Sequence, residues 1–177
     1  AQLYEVERRR AQEMALVAEI NRTISLSLDL DTTLNSILAS IRTLIPYDLG
    51  EINLWDEEDK VLRTRGRGAD PQYKQYSQVS RGVYQLDQGI TGWLARNRQA
   101  LLVKELAKSE VKSMLAPEDF PVRSVCATPL IASDQLVGTI ELASLAPEAF
   151  TAGHLETLQT VAAQSAVAIQ NAQLFAE

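Results

Sequence analysis

Cysteine and histidine occur once each, as Cys126 and His154. A lone cysteine can close no disulfide within the chain, and a reducing compartment suits it best. One cysteine and one histidine cannot build a structural zinc site. Nucleophilic catalysis of the Ser/His/Asp or Cys/His kind needs a histidine beside the nucleophile. His154 instead falls in the first turn of the last helix, where an exposed or capping role is the simpler reading. Cys126 falls in an apolar strand and reads as a buried, inert thiol. Gly66-Arg67-Gly68 lacks the third glycine and following helix of a dinucleotide loop. By this subtraction the domain is expected not to be an enzyme, and no metal or cofactor is required. Basic residues are also short: 17 Lys and Arg face 23 Asp and Glu, a net charge of −6. That argues against a nucleic-acid partner, which wants a basic face. No apolar run approaches about 18 residues, so no membrane span is expected. No charged-then-apolar leader opens the chain, which begins at Ala1 and reads as a fragment of a longer cytoplasmic protein.

What is present is an apolar, β-rich stretch from Arg123 to Ser144. Val125, Ala127 and Ile131 share one side of a first strand. Ser133-Asp134-Gln135 breaks it, and a second strand follows in which Gly138, Ile140 and Leu142 alternate with Thr139, Glu141 and Ala143. Two strands this apolar cannot stand alone, so the hairpin belongs inside a larger sheet.

Ahead of it, residues 1–27 read as one linker helix with an apolar stripe through Leu3, Val6, Met14, Val17, Ile20 and Ile24, interrupted at Arg10 and Glu13. The domain proper is expected over 28–177. Asp31 can cap a helix from Thr32 to Leu44 that Pro46 stops. Leu49–Trp55 and Val61–Arg67 form a hairpin with an acidic tip, and Val83–Leu86 and Ala100–Val103 are short strands. Gly89–Asn97 is a short helix with Trp93 and Leu94 inward. Gln72–Ser80 and Glu105–Pro121 are irregular. Thr151 caps the last helix, expected over 152–176, with Phe150 stapled to Leu155. The fold class is α+β: a central antiparallel sheet of five or six strands, terminal helices on one face, irregular segments over the other.

The order Arg-Ser-x-x-Ala-x-Pro-Leu-Ile, a short turn, Leu-Val-Gly-x-Ile-x-Leu-x-Ser, and then Phe150-Thr151 opening a long helix resembles the GAF family of sensory domains. Leu28–Leu38 and Gly89–Val103 match it as well. The resemblance implies that the first and last strands are neighbours and that the face away from the terminal helices forms a small-molecule pocket. Glu51, Asn53, Trp55, Thr128 and Glu141 would then project into it, with Tyr84, Trp93 and Cys126 as further lining. The same polar stripe could equally be a solvated sheet face that binds nothing.

The resemblance also implies a regulatory or sensory module of a larger signalling protein, such as a histidine kinase or a cyclic-nucleotide-cycle enzyme. Cyclic nucleotide, bilin or a metabolite are the candidate ligands. The cyclic-nucleotide signature is not found. Covalent bilin is disfavoured because Lys112-Ser113 stands where bilin-binding relatives carry Cys-His. His154 is badly placed for haem. A free-methionine-sulfoxide reductase would need further cysteines.

The chain opens Ala1-Gln2-Leu3-Tyr4-Glu5 and closes Ala172-Gln173-Leu174-Phe175-Ala176-Glu177. Such an echo at about one domain length suggests a unit cut from a tandem array. Leu3, Val6, Met14 and Val17 on the first helix, with Ile169, Ala172 and Phe175 on the last, are expected to meet a symmetry mate in a homodimer.

Overall fold

The computed structural model describes residues 2–26, 30–73, 82–109 and 121–175. Two helices, α1 (Gln2–Leu26) and α2 (Leu30–Ile41), precede the hairpin β1 (Leu49–Asp56) and β2 (Val61–Ala69). Then come β3 (Val83–Tyr84), α3 (Gly89–Asn97), β4 (Leu101–Val103), the hairpin β5 (Ser124–Ala132) and β6 (Gln135–Ser144), and α4 (Ala152–Phe175). The six strands form one antiparallel sheet in the order β3-β2-β1-β6-β5-β4. The α+β expectation holds, and β1 and β6 are neighbours at the centre.

One sheet face is roofed by α2 over β1 and β2 and by α4 over β5 and β6, with α1 lying against both helices. The core between them joins Leu34, Ile37, Leu38 and Ile41 of α2 to Ile52, Leu54, Ile140 and Leu142 of the sheet. Leu158, Val161, Ala162, Ala166 and Ile169 of α4 complete it. Close approach comes from glycine. A Cβ on Gly66 would meet Leu34 Cβ at 2.8 Å, and one on Gly68 would meet the Tyr47 hydroxyl at 2.8 Å. Tyr47 is thereby sealed under α2, where its hydroxyl donates to Leu38 O, and burial pushes its pKa up to about 12.

The start of α4 is a reciprocal box. The His154 amide donates to Thr151 Oγ1 and the Thr151 amide donates to His154 Nδ1, each at 3.1 Å. The imidazole must be neutral to accept, and partial burial lowers its pKa accordingly. Further along, Ser165 Oγ is the one buried side-chain oxygen without a partner among the described residues. Ser165→Ala should therefore raise stability by about 1 kcal/mol, because it removes an unsatisfied buried hydroxyl and installs the best helix former. A urea midpoint at or below that of the parent chain would contradict this.

One expectation about the terminal helices is corrected. Ile169 is 0% exposed and belongs to the core, so it cannot face a symmetry mate. The break in the α1 stripe belongs to a seam within the chain: Thr157 of α4 donates to Glu13 at 2.8 Å, and Arg9 lies 3.7 Å from Glu13 and 3.8 Å from Glu156. Ala172 is half-buried against the core. The side chains of Val17 and Phe175 lie outside the described residues.

The other sheet face carries a second apolar cluster. Leu49, Val125 and Ala127 of the sheet meet Ile90 and Leu94 of α3, with Leu106 and Val122 beside them. Among the described residues the cover here is α3, a short 3-10 turn at Leu106–Lys108 and Tyr73. Residues 74–80 and 110–120 of the irregular segments, Lys112-Ser113 included, lie outside the described residues. No described helix is long and apolar enough to cross a membrane.

Candidate functional site

Antiparallel partners share a face, so the register decides which side chains meet. One row crosses five strands as Leu101, Ala127, Glu141, Glu51 and Arg67. The next reads Pro129, Thr139, Asn53 and Thr64. A register shift opposite Ile52/Asn53 makes room for Arg65 as an extra residue in β2, which keeps both Thr64 and Arg67 on this face. These rows lie on the face away from α2 and α4, beside the apolar cluster under α3.

Glu141 is the centre of the arrangement. Its Oε2 accepts from Asn53 Nδ2 at 2.9 Å and from Thr139 Oγ1 at 2.8 Å. From α3, Thr91 Oγ1 lies 3.0 Å from Oε1 and 2.8 Å from Oε2. Asn53 Nδ2 also donates to Thr139 Oγ1 at 3.2 Å, while Thr64 donates to Asn53 Oδ1 at 2.7 Å. Glu51 stands directly across from Glu141, with the Thr64 hydroxyl 3.3 Å from its Oε1. Enclosure of the Glu141 carboxyl, and then the like charge of Glu51, push its pKa up to about 7 against the pull of its three donors. The result is a half-buried carboxyl that holds its proton more tightly than an ordinary glutamate, ringed by hydroxyls and one amide and capped by the nine-residue α3.

Of the eight residues expected to line a pocket, the fold brings Glu51, Asn53 and Glu141 together. Trp55 shares their face but lies beyond the pairing with β6, and its indole donates to Glu57 at 2.6 Å at the hairpin tip. Tyr84 stands opposite Leu62, itself opposite Trp55, at the edge of the sheet. Trp93 is half-buried on α3 against the second apolar cluster.

Cys126 and Thr128 face the other way, which corrects the sequence reading. Cys126 pairs with Leu142 and Thr128 with Ile140, so both point toward the helices. Cys126 is free and fully buried there, and burial pushes its thiol up to about 12. Thr91, Thr64 and Arg67 went unnoticed. The alternation of β2 could have suggested Thr64, but its bulge hides the phase, and nothing in the Gly89–Asn97 helix singles out Thr91.

The sequence profile of the GAF domain family matches residues 27–170. Among solved structures, the chain resembles the GAF domain of an Acinetobacter phosphoenolpyruvate-protein phosphotransferase at 20% identity, covering 91% of this chain and 94% of that one, with a TM-score of 0.73. It also resembles the free methionine-R-sulfoxide reductase of Neisseria meningitidis, solved with its substrate, at 12% identity over 92% and 90% of the two chains, with a TM-score of 0.73. A type II free methionine-R-sulfoxide reductase of Thermoplasma acidophilum is similar at 14% identity over 81% and 96%, with a TM-score of 0.65. These last two are enzymes. The fold therefore hosts catalysis, which corrects the expectation, reached by counting cysteines and histidines, that this domain is not an enzyme. The profile spans most of the sequence: the chain belongs to the GAF domain family.

Proposed function

We propose that this chain is a sensory GAF module of a multidomain cytoplasmic signalling protein, with a small molecule bound on the Glu51–Asn53–Glu141 face and the signal leaving through α1 and α4. The observation that carries this is the enclosed polar cluster around Glu141, built on the rigid centre of the sheet and roofed by α3. A purely solvated face would leave such a carboxyl in water. Ligands that offer hydrogen-bond donors suit it best, and metabolites fit this description without any attachment chemistry. A histidine kinase is the output partner that the sequence resemblance favours, and the phosphotransferase relative supports a regulatory setting of another kind. Native mass spectrometry of freshly purified protein, followed by a thermal-shift screen of metabolites, tests the reading. A stoichiometric adduct or a shift that Asn53→Leu abolishes supports it. A clean apo mass together with a silent screen would remove the ligand.

The same proposal includes a homodimer through the terminal helices. Leu3 is 73% exposed, Tyr4 70%, Met14 73% and Leu174 69%, more apolar surface than one helix pair leaves open without a partner. Paired substitution Leu3→Glu with Met14→Glu should convert a dimer to monomer in analytical ultracentrifugation while the melting temperature of the sheet stays unchanged. An unsubstituted chain that is monomeric at high concentration would end this part of the proposal.

A further inference from the structure

The N-terminal end of α3 is tied to the polar cluster through Thr91, whose partner is a carboxyl. Thr91, in the first turn of α3, donates to Glu141; Ile90 and Leu94 pack against the apolar cluster, and at the far end the C-cap Arg98 donates to the Asp134 carbonyl at 2.6 Å. We propose that Glu141, set directly against Glu51, is a pH-sensitive latch on α3: with Glu141 neutral the helix closes over the sheet, and with Glu141 ionised it loosens. This concerns the cover and stands whether or not a ligand binds.

The sign follows from what α3 does to the carboxyl. Docking of the helix removes water from Glu141, and dehydration penalises the charged form. The state in which the carboxyl is dehydrated is therefore favoured by its proton, and release of the proton favours the state in which water returns. The groups facing Glu141 from each neighbour divide as follows. From β1, Glu51 stands directly opposite and opposes ionisation, while the Asn53 amide supports it. From β2, Arg67 lies across from Glu51 and supports ionisation, but it is exposed. From β5, Ala127 brings no charge. On β6 itself the Thr139 hydroxyl supports the ion. From α3, the Thr91 hydroxyl and the positive end of a short helix support it too, and α3 presents only apolar residues beside them. Enclosure and Glu51 outweigh these donors, which is why the Glu141 proton is held up to about pH 7.

Trp93 on α3 supplies the readout. In a Trp55→Phe background all tryptophan emission comes from α3, because the chain has two tryptophans. Between pH 5.5 and 8.5 that emission should shift to longer wavelength with a one-proton midpoint near 7. Amide exchange at Leu94 and Ala95 should accelerate with the same midpoint. Glu141→Gln should abolish the transition. Glu51→Gln should lower its midpoint, because the like charge is gone, and it serves as the deciding variant if circular dichroism shows Glu141→Gln unfolded. Flat emission from pH 5.5 to 8.5 would overturn the proposal. So would a transition that survives Glu141→Gln, or a midpoint that Glu51→Gln leaves in place.

Discussion

Replacing Gly138 by alanine should cost about 4 kcal/mol and lower the melting temperature by about 10 °C. Gly138 pairs with Leu54 across the two central strands and with Leu130 on the other side. A Cβ there would fall on the Asn53 carbonyl oxygen, with the Asn53 carbonyl carbon and the Leu54 Cα each 3.0 Å away. All three are backbone of the middle of the sheet. A flexible side chain could swing aside, but here β1 and β6 would have to part, at the residue that also positions the Asn53 amide on Glu141. Gly153→Ala is the control, since its Cβ would find only Thr151 Oγ1 at 3.5 Å and Arg9 Nη1 at 3.7 Å, ordinary contact distances. Denaturant unfolding of both variants checks the contrast. Equal midpoints for Gly138→Ala and the parent chain would show that the central strands are not this close.

The two hairpins and the start of α4 were legible because each rests on local chemistry, whereas the adjacency of β1 and β6 followed only from the resemblance to GAF domains. Strict alternation marks Thr139, Glu141 and Ala143 against Ile140 and Leu142, and Thr151 is a natural cap. The same rule failed one strand over. In β5 every residue from Ser124 to Leu130 is buried, so polarity no longer says which side faces a site. Ser124, Cys126 and Thr128 look like the polar side of the strand, yet the register sets Cys126 against Leu142, and a one-residue slip in phase inverts a whole face. Ile169 was misjudged for a related reason. An apolar stripe records that a helix has a partner but not whether the partner is its own sheet or a second copy. Thr91 was invisible because its role exists only once α3 folds back over β6, fifty residues away in sequence.

Stability should fall by about 3 kcal/mol as the pH rises from 4.5 to 7, and Glu141→Gln should remove that slope. In the unfolded chain Glu141 releases its proton near its ordinary value of 4.5, whereas in the folded chain it holds it up to about 7. Between these values the folded state binds the extra proton, so the contribution is fully present below pH 4.5 and is lost as the pH climbs through 7. Each pH unit in that window is worth about 1.4 kcal/mol, which gives the total. The carboxylates of Asp56, Glu57 and Glu105 run in the opposite sense, held low by hydrogen bonds that Asp59, Lys60 and Arg123 donate respectively, and they act below pH 4.5. His154, whose pKa is lowered, also contributes in the opposite sense, losing its cap as the pH falls. Comparison with Glu141→Gln cancels all four. Urea unfolding of both proteins at pH 5, 6, 7 and 8 makes the measurement. Parallel curves would mean that water already reaches the carboxyl in the folded chain, and the site would then be an open groove, with no enclosed chamber under α3.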